Sequence, residues 1–365
     1  MRKNEGVFAH AGASGPARPE PDRTHPVGGP WHESFPADHD LRGAQEIVPT
    51  QERLLEASLS VKECVRRLVG PFHRSFLANI EGSVTGSDIN ALHDLRIAIR
   101  RIRTVLRAFR RSLRKTSAKR IDADLKNLNQ CLGPVRDLDV WIAFCEKEST
   151  SGGFSNHRLW PKFIAFQKEL RRLQHTTVRR HLRGAGFYAL RTRIDRFLEV
   201  ELPEAGGSAS EPLGPVSRRA LLKSLRRMSK LGGLRHSCVA EELHELRIEL
   251  RRIRYYCGFF EEMLGPRIHK LSRRAHRVER VLGEMRDADL ALARVTREGP
   301  RPPRLLVKEL RRLARADEAV VDAEWQKLAD PEFIAAIRRE LKHPCWRGQK
   351  NAEARLAAHR GPIGS

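Results

Sequence analysis

The chain has 365 residues, with 69 Lys and Arg against 45 Asp and Glu, a formal net charge of +24. A surplus of that size predicts strong, salt-sensitive attraction to polyanions. No apolar run approaches the roughly 20 residues of a membrane span, and the six cysteines form neither a CxxC pair nor a metal-ligand spacing, which argues against a zinc site and for a reducing, cytoplasmic compartment.

Residues 1–50 are rich in Pro, Gly and His, carry five Lys/Arg against seven Asp/Glu, and read as a disordered N-terminal segment. Its His10, His25, His32 and His39 are spaced too loosely to suggest a metal site. Helical periodicity starts near Gln51, with a break or kink at Gly70-Pro71 and a loop from Gly82 to Gly86. Ser87 or Asp88 is placed to cap a helix running to about Leu113. A further helix takes Ala118 to Leu132, is interrupted at Gly133-Pro134, and resumes from Val135 to Glu146. Residues 149–156 read as a Ser/Gly loop, followed by helices over roughly 160–183 and 187–200. Residues 203–215, with their Pro, Gly and Ser, read as a linker. Beyond it, helices are expected over 216–230, 239–264, 267–282 with 284–297 continuing it, 304–328 and 331–342, with a loose tail at 346–365. No alternating strand pattern stands out, so the expected class is all-α.

One helix is written twice. Leu92-His93-Asp94-Leu95-Arg96-Ile97-Ala98-Ile99-Arg100-Arg101-Ile102-Arg103 returns as Leu243-His244-Glu245-Leu246-Arg247-Ile248-Glu249-Leu250-Arg251-Arg252-Ile253-Arg254. At about 100° per residue, with His93 as zero, Arg100 lies near −20°, Arg96 near −60° and Arg103 near −80°. Leu95, Ile99, Ile102, Leu106 and Phe109 gather on the opposite side, between about 160° and 240°. Each copy therefore carries an apolar face and a stripe of one His and three Arg. Like charges at this spacing repel, so an unmixed stripe points to a counter-charge supplied from outside. A basic surface helix is the plain alternative, and the second copy weighs against it.

The repeat extends further. Leu132-Gly133-Pro134-Val135-Arg136-Asp137-Leu138-Asp139 matches Leu282-Gly283-Glu284-Met285-Arg286-Asp287-Ala288-Asp289, and Lys168-Glu169-Leu170-Arg171-Arg172-Leu173 matches Lys308-Glu309-Leu310-Arg311-Arg312-Leu313. Three matched blocks in one order indicate internal duplication. The His-x-x-Arg-Ile-x-x-x-Arg-x-x-Arg helix and the Leu-Gly-x-x-Arg-Asp-x-Asp block, each present twice, resemble the conserved histidine α-helical domain, or CHAD, over residues 51–345.

That resemblance implies two four-helix bundles, at 51–202 and 216–345, joined by the 203–215 linker and related by an approximate two-fold around a basic central groove or pore. It also implies binding of inorganic polyphosphate without a cofactor, without catalysis and without a membrane, in the cytoplasm and at polyphosphate granules. The contacts it implies are His93, Arg96, Arg100, Arg103, His244, Arg247, Arg251 and Arg254. Some relatives add a triphosphatase domain marked by a Glu-x-Glu-x-Lys strand; here Glu199-Val200-Glu201 lacks the Lys and lies in a helical context.

Arginine suits such a ligand because its planar fork donates two hydrogen bonds and stays charged. His93 and His244 fit either a ligand contact or a bond to a backbone group or carboxylate, about equally. A second set of cations would lengthen the groove if it faces the same way: Lys62, Arg66, Arg107, Lys168, Arg171, Arg172, Lys223, Arg226, Lys308, Arg311 and Arg312. A solvated outer face is the other reading. Asp137 and Asp139 point about 200° apart on a helix, which disfavours a shared metal and favours pairing to Arg. Two other functions fit the composition. The charge alone permits a nucleic-acid binder, although the stripes carry no interleaved aromatics and only Tyr255-Tyr256 follows the second. An exposed His on a bundle would also suit histidine phosphotransfer or polyphosphate processing.

Overall fold

A run of helices begins at Val61, where the Ser60 side chain accepts from Glu63 N (3.3 Å) and starts the first one. The structure is a computed structural model that describes residues 55–150, 158–233, 240–264, 266–297, 303–315 and 318–342. In chain order the α-helices of six residues or more are α1 (Val61–Ala78), α2 (Ile80–Thr85), α3 (Ile89–Ala108), α4 (Ala118–Thr150), α5 (Trp160–Leu182), α6 (Ala185–Arg196), α7 (Leu213–Gly233), α8 (Ala240–Leu264), α9 (Pro266–Arg297), α10 (Arg304–Arg315), α11 (Glu318–Ala329) and α12 (Pro331–Lys342). Among the described residues no strand forms; a single bridge joins Ser60 to Pro212. The segments expected to be loose at either end, 1–50 and 346–365, lie outside the described residues.

Several expected breaks are absent. Helix α1 runs straight through Gly70-Pro71, and α4 through Gly133-Pro134. A proline inside a helix removes one backbone hydrogen bond. In α1 the burial of Val61, Cys64, Val65, Val69, Phe72 and Phe76 on one face outweighs that loss. Helix α9 runs on through Gly283, as expected, whereas 304–328, expected as one helix, divides into α10 and α11. The stretch read as a loop at 82–86 is the end of α2, closed by Gly86 at φ +71. Helix α3 stops at Ala108 rather than Leu113, yet Phe109 and Leu113 are still buried.

The 203–215 stretch is stitched into the fold. Val61 N donates to Glu211 O (3.0 Å), Leu213 N to Leu59 O (2.7 Å) and Gly214 N to Ala57 O (3.0 Å). Ala209 and Leu213 are fully buried there.

Two hydrophobic clusters hold the chain together. The larger takes Leu95, Ile99 and Ile102 from α3 together with Leu246, Leu250 and Ile253 from α8, so the two copies of the repeated helix share one interior. Phe109 meets Phe260 edge to face at 6.2 Å within it. The smaller cluster joins Trp141, Phe144, Trp160 and Phe163 to Ala288, Ala291, Val295, Leu306 and Leu310. It clamps the second half of α4 against the second half of α9. The space between the two clusters is where the repeated stripes meet.

Candidate functional site

Burial of one face sets the rotation of α3. Asp88 Oδ1 accepts Asn90 N (2.8 Å) and starts the helix. Leu92, Leu95, Ile99 and Ile102 then turn inward. The opposite side of the same helix presents His93, Arg96, Ile97 and Arg100, half-buried, to a cavity of about 310 Å³. Helix α8 presents Arg247 and Arg251 to that cavity by the same logic, with Leu246, Leu250 and Ile253 buried behind them. Helices α4 and α9 close it, with Arg136, Asp137 and Trp141 from the first and His276, Glu279, Arg280, Glu284 and Asp287 from the second.

The glycines of the repeated Leu-Gly block lie against the arginines of the stripe. A Cβ at Gly133 would stand 3.0 Å from Arg96 Nη1, and one at Gly283 would stand 3.9 Å from Arg247 Nη1. Gly133 gives Arg96 room to pass close to α4, whereas at Gly283 a Cβ would meet Arg247 only in ordinary contact. Nη1 of Arg96 and Nε of Arg247 are then buried with no hydrogen-bond partner among the described residues. Burial pushes Arg96 down to about 10, with Asp137 opposing and Arg100, Arg136 and Arg251 adding repulsion. It remains a cation at neutral pH. Burial and the Arg251 charge likewise lower Arg247.

Five of the eight motif residues come together here: His93, Arg96, Arg100, Arg247 and Arg251. The other three do not. Arg254 is fully buried, ion-paired through Nε to Glu279 Oε2 (3.1 Å) and set over the Tyr255 ring. Arg103 donates from Nε to Asp122 Oδ1 (2.9 Å), and Arg107 donates to the same carboxylate. His244 is exposed and outside the cavity lining, its imidazole lowered by partial burial and by Arg247. The cavity is also wired from one copy to the other: Arg100 Nε donates to Tyr255 Oη (2.9 Å). Tyr255 and Tyr256 are both buried, so neither offers a stacking platform.

The second set of cations does not line this cavity. Lys62 Nζ donates to Pro203 O (2.8 Å), and Arg66 lies 3.9 Å from Glu63. Lys168 pairs with Glu146 (2.7 Å) and Arg172 with Glu169 (2.7 Å). Arg171 donates to the buried Asp139 (2.8 Å), and its neighbour His175 is buried against Ser83 O (2.9 Å). Lys223, Arg226, Lys308, Arg311 and Arg312 are exposed.

Sequence reasoning expected Asp137 and Asp139 to pair with arginine, as Asp139 does with Arg171, but missed Glu279. An unmixed stripe was expected to find its counter-charge outside the protein, but part of it is internal. Glu279 accepts from Arg251 (2.5 Å) as well as pairing with Arg254; its burial raises its pKa, and the two arginines outweigh that and hold it below the ordinary carboxylate range. Asp287 is pushed up to about 6, chiefly by burial, with Arg247 opposing and Asp137 adding repulsion. Asp137 and Asp139 do point apart, Asp137 to the cavity and Asp139 to Arg171. Glu279 and His276 have no signal in the repeated motif, since they lie on α9 ahead of the Leu-Gly block. Among the described residues no group of three or more His, Cys, Asp or Glu could hold a metal ion, and no helix is long and apolar enough to cross a membrane.

Residues 68–296 match the CHAD domain family. Among solved structures the chain is similar to the crystal structure of the CHAD domain from the plant Ricinus communis, at 19% identity and a TM-score of 0.57, covering 81% of this chain and 96% of that one. It is also similar to PptA from Streptomyces chartreusis, at 15% identity and a TM-score of 0.55, covering 73% of this chain and all of the other. These identities speak to the fold alone. No curated protein matches the sequence.

Proposed function

The chain belongs to the CHAD domain family, and from that premise we propose that it binds inorganic polyphosphate in the cavity between its two repeated helices, without transforming it. The supporting observation is the pair of buried, unpartnered guanidinium nitrogens, Arg96 Nη1 and Arg247 Nε, at equivalent places in the two copies. A buried donor without an acceptor is costly, and a phosphate oxygen satisfies it with a charge-assisted bond. Arg100, Arg251 and His93 surround the same space and would hold neighbouring phosphates of one chain.

The duplication supports a two-bundle reading, with units at 51–202 and 216–345 and an approximate two-fold through the cavity. On this reading the protein is a cytoplasmic scaffold or targeting module at polyphosphate granules. Arg103, Arg254 and His244 position the site or lie at its edge, and the second set of cations attracts the chain from a distance.

The test is a salt series of long-chain polyphosphate binding with RNA as competitor. Tight binding that survives excess RNA at matched phosphate supports the proposal. Displacement by RNA would favour a nucleic-acid binder that reads charge density alone. Release of labelled phosphate, or a phosphohistidine lost in His93→Ala or His244→Ala, would overturn the non-catalytic part.

A further inference from the structure

The cavity carries its own anions. Asp137 and Asp287 occupy equivalent positions in the two copies, and both line the same cavity, one from α4 and one from α9. They share it with seven arginines and with Glu279 and Glu284. A polyanion that enters competes with these carboxylates for the arginines. Glu279 is held by two guanidinium groups and nearly fully buried, so it keeps its charge. Asp287 faces Arg247 and Asp137, and no ion pair within 4 Å holds it among the described residues. A phosphate seated on Arg247 takes away the charge that favours the carboxylate and puts a negative one in its place.

We propose that ligand binding is coupled to proton uptake at Asp287, so that affinity rises as the pH falls through the neutral range. This rests on the polyphosphate reading of the site. The step is a simple protonation: a solvent proton binds the Asp287 carboxylate, one negative charge leaves the cavity wall, and no other bond changes. In the free protein, burial pushes the Asp287 carboxyl up to about 6. A bound polyanion moves that titration upward, because a nearby like charge disfavours ionisation. Between the free and bound values, binding takes up protons and affinity gains at most about tenfold per pH unit. Below the free value Asp287 is already protonated and the gain stops.

The other groups facing this space are His93, Arg96 and Arg100 on α3, Arg136 and Asp137 on α4, Arg247 and Arg251 on α8, and His276, Glu279, Arg280, Glu284 and Arg294 on α9. The arginines keep their charge across the window. His93 and His276 face the same space, so the decisive quantity is the difference made by one carboxylate.

The experiment measures long-chain polyphosphate binding to the full chain from pH 5 to 8.5, with calorimetry at pH 7 in buffers of different ionisation enthalpy. Wild-type protein should take up protons on binding. Asp287→Asn should bind about threefold or more tightly at pH 7.5 and take up fewer protons at pH 7. Asp137→Asn should bring the rise in affinity to lower pH, because it removes a neighbour that raises Asp287. A melting curve at each pH keeps misfolding distinct from the binding effect. An Asp287→Asn protein that is folded but keeps the wild-type pH slope, or binds more weakly at pH 7.5, would overturn the coupling. Absence of polyphosphate binding at every pH would instead overturn the functional reading beneath it.

Discussion

The arginines of the repeated stripe differ in what they meet, and that decides what each can do. Arg96 and Arg247 each keep a buried nitrogen unpartnered. Replacing either with Ala should weaken polyphosphate binding by about tenfold or more, the scale of one charge-assisted hydrogen bond, as read by titration at fixed salt. Arg254 is spent on Glu279. Glu279→Gln leaves that guanidinium buried without a counter-charge and should destabilise the fold by about 3–5 kcal/mol, visible in chemical denaturation. Because the folded pKa of Glu279 is depressed, its contribution is present above its unfolded pKa and fades as the pH falls through the folded one. Asp287 has the opposite sign. Its folded value of about 6 lies above the ordinary aspartate value of 3.8, so its cost to stability appears as the pH rises through that window. Asp287→Asn should therefore raise the melting temperature at pH 8 and leave it nearly unchanged at pH 4.

At the scale of the element, helices approach one another where glycine permits it. A Cβ at Gly232 on α7 would stand 1.7 Å from the Trp325 ring on α11, and neither backbone nor indole can yield that much cheaply. Gly232→Ala should cost about 1–3 kcal/mol of stability through overpacking, measured as a lowered denaturation midpoint. Gly133 and Gly283 provide a finer comparison. The 3.0 Å contact at Gly133 is tight while the 3.9 Å contact at Gly283 is ordinary. Gly133→Ala should displace Arg96 and lower polyphosphate affinity, with Gly283→Ala close to wild type in the same assay. Equal affinities would show that Arg96 does not need this clearance. Helix boundaries obey the same competition. Proline at 71 and 134 would end a helix judged by its own backbone, yet both helices continue because their buried faces pack on neighbours.

At the scale of the molecule, two clusters leave a charged space between them. The larger is built around α3 and α8, the smaller around the far halves of α4 and α9. The smaller cluster keeps those helices close enough for Arg294 Nη1 on α9 to donate to Asp137 O on α4 (3.4 Å). Ligand binding at this junction should tie the two copies together. Polyphosphate should therefore raise the melting temperature of the whole chain, increasingly with ligand concentration and less at high salt. Two separate transitions with only one of them shifted would argue against a shared site.

The sequence by itself determined the helical class, the duplication and the rotation of the two key helices. Those follow from the period of the apolar residues, which is local, and from repetition, which needs no coordinates. It also carried the five residues that meet at the cavity, because a face opposite a buried stripe must point away from the core. Only the tertiary structure decided which cations are already neutralised. Asp122, Glu279 and Asp139 are remote in sequence from Arg103, Arg254 and Arg171, and each pair is brought together by packing between helices. Helix ends were settled in the same way. A proline inside a helix costs about 3 kcal/mol or more, and several apolar side chains buried against neighbouring helices offset it.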